Sequence, residues 1–206
     1  MRTLMVTVIA FALLGLLVPL IGRAQENADE AKKVTPEQMM EAIQKYGTPG
    51  KDHEVLKQME GTFDADATFR MDPSAPEQNS KGKTVNELIF DGRFLKSDYS
   101  GDFAGSPFKG INLLGYDKMK NKYVSMWTDS MSTALMFSEG TGDAKTITLS
   151  GEYDCPITQM KRTMKQVVTI VDKDHHTIEG YDVGSDGKEF KTMTLKYTRA
   201  RAVPVP

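Results

Sequence analysis

A tryptophan, a carboxylate and a thioether stand at alternate positions in Trp127-x-Asp129-x-Met131, and side chains two apart on a strand share one face. An indole beside a carboxylate on an inward face suits a cationic or hydroxyl-bearing ligand, or holds a proton donor whose pKa burial has raised. The same pair can serve structure alone, with Trp127 filling a core and Asp129 accepting backbone N–H groups at a strand end. Arg162 and Arg199, in later strands, carry the planar guanidinium that pairs with Asp129 or with a ligand carboxylate, or they are solvated rim charges. Met193 and Tyr197 complete the set of candidate lining residues. The chain has 13 methionines, recurring along strands at Met126, Met131, Met136, Met164 and Met193. Flexible thioethers fit an irregular apolar ligand as readily as an ordinary core.

Other chemistry finds little footing. His53 opens a helix, and His175 and His176 sit together at a turn, so no three ligands converge and no metal site or haem ligand is assigned. The single cysteine, Cys155, lies beside Pro156 in a loop and reads as an incidental thiol; alone, it cannot form an internal disulfide. Asp117 caps the turn that follows it. The phosphate-loop, dinucleotide, nucleophile-elbow, His-Glu-x-x-His and Cys-x-x-Cys patterns are absent, so catalytic residues stay unassigned and no cofactor is expected.

The elements that must position these residues are legible in the alternation. From residue 62 to 199 the chain is a series of about ten short strands separated by Gly, Asp, Asn and Lys turns. Phe63, Ala65, Ala67 and Phe69 alternate with Asp64, Asp66, Thr68 and Arg70, the period of a half-buried strand. Further strands are expected at 82–90, 93–101, 107–116, 122–130, 134–140, 144–153, 161–171, 176–183 and 188–199, with Met71 to Lys81 a surface loop. The short connections join antiparallel neighbours, and so many strands close to remove their edges. The fold class is mainly β: an antiparallel up-and-down barrel with two short N-terminal helices. In the first, Thr35-Pro36-Glu37-Gln38 opens a helix to Lys45 or Tyr46 whose apolar face, Met39, Met40 and Ile43, docks on the barrel. In the second, Asp52 caps His53 to Met59, with Val55, Leu56 and Met59 inward. Strands 82–90 and 122–130 are apolar on both faces, which calls for cover by helix residues or by a partner.

Ahead of these elements stands an export signal: Arg2, an uncharged apolar run from Leu4 to Ile21, and small residues at Gly22 and Ala24, with cleavage expected after Ala24. The domain plan is a signal peptide at 1–24, a polar leader and short helix at 25–50, a barrel at 51–200 and a tail at 201–206. A bacterial lipid anchor would need a cysteine just after the apolar run. Loss of Arg2 and Arg23 takes the formal charge from −2 to −4, which offers nothing to nucleic acid. The expected location is periplasmic or secreted, without stable membrane insertion after cleavage; the oligomeric state is open.

Several motifs occur in an order that resembles a known family. They are Asp52-His53-Glu54-x-Leu56 leading to Gly61-Thr62-Phe63, Leu114-Gly115-Tyr116-Asp117, Lys122-Tyr123-Val124-x-x-Trp127-x-Asp129-Ser130-Met131, Leu149-Ser150-Gly151-Glu152, and Lys191-x-Met193-x-Leu195-x-Tyr197-Thr198-Arg199. Over residues 50 to 199 the chain resembles the bacterial domain of unknown function 1579. The resemblance implies a calycin-like barrel, related in shape to lipocalins, and no established activity or cofactor. One departure is that the family's Gly-x-Trp at the first strand stands here as Gly61-Thr62-Phe63. That tryptophan plugs the closed end, and Phe63 does so with less area and no N–H donor.

Three functions remain open. The first is a barrel holding a small, partly apolar or amphipathic ligand among Trp127, Asp129, Met131, Met193, Tyr197 and Arg162. The second is an enzyme using Asp129 as acid or base. The third is a filled barrel serving as a structural or interaction module.

Overall fold

A computed structural model describes residues 34–201 apart from 157, 185 and 186. The signal peptide expected at 1–24 and the start of the polar leader expected after it lie outside the described residues. Helix α1 spans Pro36–Gly47, a 3-10 turn spans Lys51–His53, and α2 spans Glu54–Gln58. The strands are β1 Gly61–Phe69, β2 Gln78–Ile89, β3 Phe94–Phe103, β4 Ser106–Asp117, β5 Lys122–Asp129, β6 Met136–Gly142, β7 Thr146–Cys155, β8 Met160–Ile170, β9 His175–Val183 and β10 Glu189–Arg199. They form a closed antiparallel meander in which β1 joins β10 and every other strand pairs with its chain neighbours. The turn chemistry matches: Gly92 and Asn121 take left-handed φ values of 82° and 53° between β2 and β3 and between β4 and β5.

Three expectations change. Gln78 to Lys81 belong to β2, not to a loop, pairing with Phe69 to Asp66 of β1. Their ladder is made by the backbone, which a polar sequence does not advertise. The α1 capping box is present, with Thr35 N–H donating to Gln38 Oε1 at 3.0 Å and Gln38 N–H to Thr35 Oγ1 at 3.2 Å. Its apolar face, however, gains no buried residue, and Ile43 is more than half exposed. Helix-end chemistry and amphipathicity make the helix but do not dictate what covers it. At the second helix, Asp52 is not the cap; His53 Nδ1 accepts the Gly50 N–H at 3.1 Å.

α2 behaves as its pattern requires. Val55, Leu56 and Met59 are buried with Leu95, Leu114, Tyr123, Ile147, Leu149, Val168 and Ile170, closing one end of the barrel. Each such side chain contributes about 1.5–3 kcal/mol by leaving water. The Tyr123 hydroxyl donates to the Asp52 carbonyl at 2.9 Å, and burial pushes its phenol up to about 12. Arg199 seals the same end: it donates to the carbonyls of Glu60 (2.7 Å), Gln58 (3.2 Å) and Lys173 (2.9 Å) and lies 4.5 Å from the centre of the Phe63 ring. Phe63 is fully buried at this end, beneath the Arg199 guanidinium. A hydrogen bond from Asn86 Nδ2 to the Met59 carbonyl, 2.8 Å, with Thr84 Oγ1 on Asn86 Oδ1, satisfies the polar groups beside it.

Candidate functional site

Above this floor the inward positions change character. β5 turns Tyr123, Ser125, Trp127 and Asp129 to one face, which the alternation predicts, and Tyr123 lies in the core. The Trp127 indole N–H donates to Asp129 Oδ2 at 2.9 Å, while Asp129 Oδ1 accepts the Met131 N–H at 2.9 Å. That second bond is an Asx turn, which ends the strand. Met131 therefore leaves the face: it sits in the turn, 63% exposed, and is not a lining residue.

Trp127 begins a run of rings around the inner wall. It lies near-parallel to Phe108 at 6.3 Å, Phe108 meets Phe103 at 6.0 Å, and Phe103 stacks on Phe69 at 4.7 Å. These rings fit because small wall residues face them. A Cβ on Gly110 would come within 2.2 Å of the Trp127 ring, and one on Gly82 within 2.3 Å of the Tyr99 hydroxyl. β10 stands five strands round the ring from β5, so Met193, Leu195 and Tyr197 line the facing wall. Tyr197 is buried as part of the floor, packed with Phe63, Ala65 and Tyr99, and burial pushes its phenol up. Met193 is half-buried beside Gly180, with which it pairs.

Polar groups are interleaved with the rings. Ser125 Oγ donates to Asn112 Oδ1 at 2.7 Å, and Gln166 stands half-buried on the inward face of β8. At the far end Arg162 does not reach Asp129. It pairs with Asp182 at 3.2 Å and donates to the Val183 carbonyl, while the Tyr153 hydroxyl donates to Asp182 Oδ2 at 2.7 Å. Burial and the Asp182 carboxylate push the Tyr153 phenol up. Arg199 is likewise turned away from Asp129, to Asp174 at 3.3 Å. Antiparallel neighbours supply the nearest carboxylates: Arg162 faces Tyr153 across β7 and β8, one strand from β9.

The lining candidates leave out Phe69, Phe103, Phe108, Tyr153 and Asp182, although each falls on the inward phase of its strand. They also leave out His176. β9 begins at His175, so His176 points inward, 4% exposed, stacked on Tyr197 at 4.5 Å and edge-on to Phe63 at 4.6 Å. Burial, aided by the Arg199 charge, holds its imidazole down to about 4. The period-two run His176, Ile178, Gly180, Asp182 was the available signal. What the arrangement offers chemically is an aromatic and thioether wall, amide and hydroxyl groups within it, and a phenol, carboxylate and guanidinium at its rim.

Fold and site together define a closed ten-strand antiparallel β-barrel with one end plugged by a helix. The chain belongs to the family described as protein of unknown function (DUF1579), whose model matches residues 48–199. No curated protein matches it significantly. Among solved structures it is similar to a redesigned beta barrel, at 15% identity over 73% of this chain and 96% of that one, with a TM-score of 0.39.

Proposed function

We propose that the protein is exported and binds a small, partly apolar molecule in the unplugged half of its barrel. The observation that carries this reading is the half-burial of inward side chains that a filled core would seal. Phe108, Trp127, Met136, Met164, Met193 and Leu195 all point into the barrel and all keep solvent-accessible surface. Apolar surface left facing a concave, water-reachable space gains free energy when a ligand covers it, about 25 cal/mol per Å². Asn112, Ser125 and Gln166 supply the few polar contacts that would orient the molecule. Asp129 fits an orienting part better than an acid–base one, since both of its oxygens already accept hydrogen bonds.

Native mass spectrometry of protein taken gently from the exported fraction tests the proposal. The expected result is an adduct that disappears on denaturation and is weakened in Trp127→Ala. A bare mass, under conditions that retain ligand in a control barrel, would overturn it in favour of a filled interaction module. Recovery of the protein with residues 1–24 still attached would sink the export half of the reading.

A further inference from the structure

At the plugged end, outside the barrel, a depression of about 360 Å³ is lined by Lys57, Gln58, Lys145, Ile170, Val171, Asp172, Lys173 and Arg199. Four of these side chains are cationic and one is anionic, and the anion is spoken for. Asp172 Oδ1 accepts the Asp174 N–H at 2.8 Å and meets His175 Nδ1 at 2.8 Å; these bonds hold its carboxyl below the usual range and tie it to the β8–β9 turn.

The cations are unequally committed. Arg199 is fixed by three carbonyls and Asp174, and Lys57 is paired with Glu54 at 2.8 Å. Lys173 meets Asp174 only at 4.0 Å with its side chain 90% exposed. Lys145 is exposed and has no carboxylate in ion-pair contact among the described residues, its charge acting on Asp143 at longer range. Lys145 and Lys173 thus bring two exposed ammonium groups to the lining of the depression, beside a guanidinium already paired with Asp174. Part of the lining is apolar: Ile170, buried, and Val171, 60% exposed, which is unusual for a residue beside so many charges.

We propose that this depression binds an amphipathic anion, a carboxylate or phosphate ester carrying a short apolar chain, with Lys145 and Lys173 holding the anionic head and Val171 covered by the chain. The site is separate from the barrel interior. It stands whether or not the interior holds a ligand.

The test is a ¹H–¹⁵N correlation titration of the full mature protein with octanoate, octyl phosphate, inorganic phosphate and octylammonium. Saturable shifts at the amides of Lys145, Val171 and Lys173 are expected with octanoate and octyl phosphate. Inorganic phosphate should bind more weakly, and octylammonium should leave these amides unmoved. In Lys145→Glu/Lys173→Glu, whose side chains are exposed, the affinity for octanoate should fall about tenfold or more, and added salt should weaken the wild type. Shifts confined to Trp127 and Leu195 would overturn the proposal and assign the anion to the barrel interior. Equal binding of octylammonium, unchanged affinity in the double variant, or no saturation with any probe would also overturn it. Inorganic phosphate binding as tightly as octyl phosphate would remove the role given to Val171.

Discussion

The two halves of the barrel are built from the same ten strands, yet one is sealed and the other is not. At the plugged end α2 brings Val55, Leu56 and Met59 into contact with residues from β3, β4, β5, β7 and β8, all nearly free of solvent. In the other half the inward aromatic and thioether side chains Phe108, Trp127, Met136, Met164 and Met193 remain half-buried. The difference teaches that the stabilising contacts and the candidate binding surface are separated along the barrel axis. A substitution should therefore be able to disturb one without the other.

Leu56→Ala should give the largest effect, about 3 kcal/mol of lost stability in urea unfolding, against about 1 kcal/mol for Leu195→Ala in the open half. Equal costs would erase the contrast. The next largest effect is on pH. The folded value of His176, about 4, lies below the ordinary 6.5, so the unfolded chain takes up its proton first. Stability is fully present above pH 6.5 and falls as the pH drops toward 4, by about 3 kcal/mol. His176→Phe should flatten this slope in melts between about pH 7 and about pH 5. Glu139, held down to about 2 by Lys122 and Lys120, loses its share only as pH falls from 4.5, so the two windows are separable.

Arg199→Met should cost about 2 kcal/mol, because it removes the bonds to three carbonyls, the pair with Asp174 and the cation–π contact with Phe63 together. Hydrogen exchange should speed up at Gln58 to Phe63 and not at Trp127. The smallest effect belongs to Trp127→Phe, about 1 kcal/mol for the lost bond to Asp129. Its signature should be a weakened adduct in native mass spectra with a nearly unchanged melting temperature. A large fall in melting temperature would show that the open half carries stability after all.

Most of the barrel was legible because period-two alternation and Asp-Gly or Lys-Asn turns speak directly of strands and hairpins. The face of β5 was legible for the same reason. Met131 was misplaced because alternation does not reveal that Asp129 would turn its carboxylate onto the next backbone amides. The partners of Arg162 and Arg199 were hidden because they depend on strand register around a closed ring, which a single sequence does not state. His176 stands at the first residue of the expected strand 176–183, where the turn and the ladder compete, and β9 begins at His175, which carries it inside the ladder and into the core. The α1 helix shows the opposite limit: its cap was plain, but an apolar stripe does not say what covers it.

The glycines beneath the rings carry a further meaning. Gly110 lets the Trp127 ring lie against the wall, and Gly82 does the same for Tyr99. A methyl group at either position would have to tip the ring toward the axis, narrowing the bore where a guest would sit. The placing of these rings is thus set by residues beneath them, so a change at Gly110 or Gly82 would act on the inner wall without altering a single ring.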